Sequence, residues 1–237
     1  MKNKNYNNVD LVKTITTEFL PMHGDRIIGE DKSIECGIGR INNESVSIIM
    51  QVSNSDIYKN IACNFSMTKP EGYRKSLRIM KQAEKFNRPI ICFIDTIGAE
   101  PSIEAEKHGQ ISAIANNVST MLDLSVPIVC VITGNAYSGG AVGLCVCDKL
   151  AVLETANLGC ISPKAGKEIL NKDIIVNEDH EINNGFIDEI INENDIVETQ
   201  YLETISNRVK DFIISSLTEL NQVEINQLIN QRYRKFF

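Results

Sequence analysis

Two runs of the chain, RPIICFID (88–95) and VPIVCVIT (126–133), are almost wholly apolar. Each is followed by a glycine-containing turn and then by a helical pattern. A strand without polar alternation is buried on both faces, and such strands alternating with helices make a layered α/β core. The fold class read from this pattern is therefore α/β.

The flanking chain fills in the other elements. Val9, Val12, Ile15, Phe19 and Leu20 stand at helical spacing, so a helix is expected over 9–20, ended by the glycine turn of MHGDR (22–26). IECGIGRI (34–41) and SVSIIMQV (45–52) read as strands, and Asn42-Asn43 between them suits a tight hairpin. Residues 53–72 read as loop and short helix. From Tyr73 a helix is expected with Tyr73, Leu77, Met80, Ala83 and Phe86 on its apolar face. A further helix is expected over 103–124, with Ile111, Ile114, Ala115, Val118, Met121 and Leu122 inward. After VPIVCVIT, the residues GNAYSGG (134–140) read as a turn, AVGLCVC (141–147) as a short helix and KLAVLE (149–154) as a strand. Residues 171–199 are polar; 202–220 return to helical spacing, and the basic-aromatic end NQRYRKFF (230–237) reads as a final helical turn or docking element. No linker divides the chain, which is read as one domain over 1–237.

Net charge is −7, which argues against generic binding to nucleic-acid phosphates. No run is long enough to span a membrane, and the first residues, MKNKNYNNVD, have no apolar signal core, so a cytoplasmic protein is expected. Most of the seven cysteines lie in apolar runs and read as reduced core thiols. Cys145 and Cys147 form C-x-C, with no second pair and only His23, His108 and His180 beside them, so no metal site is expected.

The chemistry concentrates in two strand-to-helix turns, DTIGAEPS (95–102) and TGNAYSGGA (133–141). Glycine lets backbone approach closely, and amides at a helix start can hold an anion or a developing oxyanion. Plain strand–helix packing accounts for the same glycines, and spacing alone leaves both readings open. Neither turn carries a nucleotide-binding fingerprint. AYSGG also resembles a nucleophile elbow around Ser138, for which His180 with Asp188, or Lys149 or Lys164, would be candidate bases; none has distinctive spacing.

At these residues the chain resembles the α subunit of bacterial acetyl-CoA carboxylase carboxyltransferase. FIDTIGAEPSIEAEKHGQISAIANN, MHGDR, NFSMTKPEGYRKSLRIMKQAEKFNRPI, SVPIVCVITGNAYSGGAVGLCVCDKLAVLE and CISPKAG match that family's motifs in the family's order, from about residue 17 to 190. The resemblance implies the crotonase-like (ClpP/crotonase) fold, a superhelix of ββα units. It implies an α-type subunit that pairs with a carboxyltransferase β subunit in an α2β2-like hetro-oligomer. The activity implied is transfer of a carboxyl group from carboxybiotin, carried on biotin carboxyl carrier protein, to acetyl-CoA or another acyl-CoA, giving malonyl-CoA for fatty acid biosynthesis. Biotin is thus the cofactor, carried on another chain, and a coenzyme A thioester is the substrate. Such chemistry builds oxyanions on the ureido group and on the thioester enolate, which fixed backbone donors stabilise without a side-chain nucleophile.

By the same resemblance, Gly139, Gly140 and Ala141 are the expected catalytic residues. Gly98, Ala99, Ser138, Ser162 and Pro163 are expected around substrate or carboxybiotin. The chain also departs from the pattern. Ile97, Glu100 and Ser102 replace Pro, Tyr and Gly; Asn135-Ala136-Tyr137 replaces Glu-Gly-Gly; Lys164 replaces Glu. QVSNSD (51–56) stands where the family has a basic loop, the segment 171–188 is short, and the family's N-terminal helical extension has no counterpart in the chain read as a single domain. Glu100 would place a carboxylate beside the expected site. The alternatives are a non-catalytic or altered-substrate paralogue paired with a β subunit, or a serine hydrolase on the same superfold using Ser138.

Overall fold

The computed structural model describes residues 6–170 and 185–236. Helix α1 (Asn8–Ile15) leads into strand β1 (Glu18–Pro21) and the hairpin β2 (Ile34–Ile41)–β3 (Glu44–Gln51). Asn42 and Asn43 both have positive φ, 47° and 65°, the backbone that a two-residue hairpin turn of matching twist requires. Then come α2 (Ile57–Ala62), α3 (Pro70–Lys85), β4 (Ile90–Thr96), α4 (Ile103–Lys107), α5 (Gln110–Asp123) and β5 (Ile128–Tyr137). The chain continues through α6 (Ser138–Val142), β6 (Lys149–Leu153), β7 (Asn157–Gly159), α7 (Pro163–Leu170), β8 (Glu189–Ile191), α8 (Tyr201–Leu220) and α9 (Ile225–Phe236).

The strands form one sheet in the order β1-β2-β3-β4-β5-β6-β8, with β7 on the far end of β5. Strands β1 to β3 pair antiparallel, and β3 onward is parallel. Every residue of β4 is buried, as its unbroken apolar run predicts. Helix α3 packs on β2, β3 and α5, while α1 packs on α8 and β3. No helix among the described residues is long and apolar enough to cross a membrane.

Several sequence expectations need correction. The first helix stops at Ile15, because Thr16 is already extended and Thr17 donates to the Arg40 carbonyl at 3.0 Å. Phe19 and Leu20 therefore lie in β1, opposite Gly39 and Ile38. The helix expected over 103–124 is two, broken at Gly109 with φ +83°, a conformation that glycine adopts without a Cβ penalty. The break turns the buried face: Gln110, Ala113, Asn117, Met121 and Leu122 face inward, while Ile111 is 69% exposed and Ala115 is exposed. Polar groups fix this setting, with Asn117 Nδ2 donating to Ser76 Oγ at 2.8 Å and to the Gly143 carbonyl at 3.1 Å. In α3 the inward residues are Tyr73, Ser76, Ile79, Met80 and Ala83; Phe86 is the exposed C-terminal cap. The short helix expected over 141–147 ends at Val142.

Two polar clamps hold the periphery. The MHGDR segment wraps onto α3: Asp25 Oδ1 accepts the amides of Ile27, Ile28 and Gly29, each at 2.9 Å. Arg74 Nε reaches Asp25 Oδ2 at 2.8 Å, and Lys75 Nζ reaches the carbonyls of Asp31 and Ile34 at 2.8 and 2.6 Å. At the other end, the basic-aromatic segment is the docking element its composition suggests. Arg232 of α9 is buried, bonds both carboxylate oxygens of Asp148 at 2.8 Å, and caps the carbonyls of Met121, Leu124 and Val126.

Candidate active site at the β5–α6 junction

The residues GNAYSGG are not a loop. Strand β5 runs through them to Tyr137, because Asn135, Ala136 and Tyr137 pair with Asn157, Leu158 and Gly159 of β7. The turn into α6 is a single residue: Ser138 has φ +58°, a left-handed conformation that is costly for a residue with a side chain. Ser138 is exposed, Gly139 half-buried, and Gly140 and Ala141 buried.

The two turns picked out in the sequence meet here. A Cβ on Gly140 would stand 2.4 Å from the carbonyl carbon of Gly98 and 2.6 Å from the Ala99 nitrogen, so only glycine permits this approach. Gly98 itself has φ +144°, and nothing lies within 4 Å of where its Cβ would be. Its amide is taken by Thr96 Oγ1 at 3.1 Å, so the 96–99 turn is fixed by its own hydrogen bonds. Among the described residues, none accepts a hydrogen bond from the amides of Gly139 or Gly140. Helix starts leave such amides free for a ligand. A largely apolar cavity of about 760 Å³ opens beside this turn, lined by Ser138, Gly139, Ala141, Val142, Leu158 and Phe236 among others, but not by Gly140, Gly98 or Ala99.

Other expected site residues lie further off. Ser162 caps α7, its Oγ 3.4 Å from the Ala165 amide, and Pro163 begins that helix; neither lines the cavity. Glu100 accepts a hydrogen bond from Asn64 Nδ2 and borders a separate pocket of about 320 Å³ with Lys69, Glu71 and His108. Its carboxylate is thereby held away from the cavity beside Gly139. The QVSNSD segment supplies hydrogen bonds in place of cations: Ser53 Oγ donates to the buried Asp95, whose other oxygen accepts the Asn135 amide at 2.9 Å.

Of the candidate bases, Lys149 and Asp188 lie away from Ser138. Lys149 lies opposite Val129, at the far end of β5 from the site, and pairs with Glu219 at 2.8 Å. Asp188 accepts the Leu150 amide at 2.8 Å near that same end. Lys164 is exposed on α7, and His180 lies outside the described residues. The seven cysteines are free thiols, and no cluster of three or more metal-ligating side chains occurs among the described residues. Burial raises the Cys147 and Cys36 thiols, the latter to about 12.

Two residues escaped the sequence reading. Gln51 and Tyr73 both donate to the Gly140 carbonyl, each at 3.0 Å. Their only local signals were a polar residue ending an apolar strand and a tyrosine on a core-facing stripe.

The family model described as "Acetyl co-enzyme A carboxylase carboxyltransferase-like" matches residues 2–237. The acetyl-coenzyme A carboxylase carboxyl transferase subunits beta/alpha of Clostridium tetani are 41% identical over 96% of this chain, which spans 41% of that protein. The corresponding subunit alpha of Clostridium botulinum is 40% identical over 95% of this chain and 86% of its own length. A crystal structure of transcarboxylase 12S superimposes with a TM-score of 0.74 at 15% identity, covering 94% of this chain and 43% of that one. The fold is accordingly crotonase-like, as the sequence motifs implied.

Proposed function

We infer that this chain, which belongs to the acetyl co-enzyme A carboxylase carboxyltransferase-like family, is the α-type half of a biotin-dependent carboxyltransferase acting on acetyl-CoA. The observation that carries this reading is the Gly140–Gly98 contact, which seats the start of α6 where Gly139 and Ala141 line an apolar cavity. Fixed backbone donors in a water-poor site suit reactions that build negative charge on an oxygen.

Carboxybiotin, brought on a carrier protein, supplies the carboxyl group when bound. The donor set fits a ureido oxygen that gains charge as the carboxyl group leaves: backbone amides, with open space where a Cβ on Gly98 would stand. The residues of this chain bind and orient. Gly139, Gly140 and Ala141 present amides to the oxygen that gains charge, and Gly98 and Ala99 form the wall against which Gly140 rests. Val142 and Leu158 exclude water from the same space. Ser138 shapes the turn and is not the nucleophile. A β-type subunit holding the coenzyme A thioester, in an α2β2-like assembly, completes the site.

The test is co-expression with a β-type subunit and measurement of biocytin-dependent decarboxylation of malonyl-CoA. Turnover by the complex, and by neither chain alone, is expected. A stable complex inactive on acetyl-CoA and on larger acyl-CoA thioesters would overturn the reading and leave a non-catalytic partner subunit.

A further inference from the structure

Short as it is, α6 does not use the Gly140 carbonyl. The Leu144 amide bonds the Ala141 carbonyl at 3.0 Å and the Gly143 amide bonds the Gly139 carbonyl at 3.0 Å. The Gly140 oxygen instead receives two buried side-chain donors from separate elements: Gln51 Nε2, at the end of β3, and the Tyr73 hydroxyl, on α3. Both donors are themselves fixed. Gln51 Oε1 accepts the Asp95 amide at 3.2 Å and the Gln51 carbonyl accepts Asn8 Nδ2 at 2.8 Å. The Tyr73 ring is fully buried and lies against Gly143, where an added Cβ would come within 2.9 Å of Cε1. Burial keeps the phenol protonated by raising its pKa, so it remains a donor.

The peptide unit is rigid and planar, with the carbonyl of one residue opposite the amide of the next. Holding the Gly140 oxygen from two directions therefore fixes the Ala141 amide, and with the Gly98 contact it fixes the seat of Gly140 as well. We propose that Gln51 and Tyr73 are positioning residues for the oxyanion-binding turn, clamping the Gly140–Ala141 peptide from behind so that its one donor, the Ala141 N–H, faces the substrate. This rests on the carboxyltransferase reading for its kinetic consequence, but the clamp itself is a property of the chain.

Tyr73→Phe keeps the ring and removes one donor; Gln51→Met keeps the length and removes the other. Each is measured in the assembled complex. Loss of a positioning group lowers kcat and leaves ground-state binding alone. A fall in kcat of roughly tenfold or more, with KM for the acyl-CoA within about twofold, is expected for Tyr73→Phe. An unchanged kcat, or a loss explained by failure to assemble, overturns the proposal. If Gln51→Met does not fold, Tyr73→Phe decides alone. If the wild-type complex has no turnover, the functional reading has failed separately. The clamp is then read by amide hydrogen exchange in residues 138–143. Faster exchange there in Tyr73→Phe, with the rest of the chain unchanged, supports the clamp; unaltered exchange overturns it.

Discussion

Gly140 rests on Gly98 so closely that a Cβ on Gly140 would stand 2.4 Å from the Gly98 carbonyl carbon. The contact joins the start of α6 to the turn after β4, and neither partner is the far end of a flexible side chain. Gly140→Ala must therefore push backbone apart. We expect a loss of about 1–3 kcal/mol in stability from overpacking and a larger proportional loss in turnover, since the displaced amides are those assigned to the oxyanion. Urea denaturation alongside malonyl-CoA decarboxylation checks both; a fully active Gly140→Ala complex would refute the assignment.

Ser138 adopts φ +58° at the sharp turn into α6, the posture of a nucleophile, yet Lys149 and Asp188 sit toward the other end of the sheet. Ser138→Gly should relieve strain of order 1 kcal/mol and retain turnover. A fluorophosphonate probe should leave the wild-type serine unlabelled. Stoichiometric labelling at Ser138 would revive the hydrolase alternative.

Arg232 and Asp148 are both withdrawn from solvent, with side-chain exposures of 0% and 3%. Arg232→Met strands a buried carboxylate and several carbonyls, so destabilisation of roughly 3–5 kcal/mol is expected. Hydrogen exchange over 225–236 should rise in the same variant as α9 loosens. A change below about 1 kcal/mol would show that the clasp contributes little.

Asp25 has a fully buried side chain. Burial alone would raise its pKa, but the amides of Ile27, Ile28 and Gly29 and the Arg74 guanidinium outweigh that and hold it at about 2. A folded-state pKa below the unfolded value of 3.8 stabilises the fold above pH 3.8, and the contribution disappears as pH falls through about 2. Denaturation between pH 5 and pH 2 should thus show an acid loss of about 2 kcal/mol in the wild type that Asp25→Asn lacks. Parallel pH curves for the two proteins would contradict the assignment.

Local pattern determined much of this protein. The apolar runs at 88–95 and 126–133 could be satisfied only as doubly buried strands, and all of β4 is buried. Asn42-Asn43 carried its own turn, because Asn tolerates positive φ. The motif order carried the family, and the basic-aromatic end read as a final helical turn or docking element, which the structure extends into the helix α9. What local pattern did not determine is where polar residues meet across the fold. GNAYSGG looks like a turn until β7 arrives to pair with Asn135–Tyr137. The helix over 103–124 looks continuous until Gly109 breaks it and Asn117 finds Ser76. Gln51 lies 89 residues from Gly140, and Tyr73 lies 67 from it. Periodicity reports only which side of an element faces the core. Which buried donor meets which carbonyl is decided by packing between distant segments, and at Gly140 that packing sets the direction of the Ala141 amide on which the proposed chemistry draws.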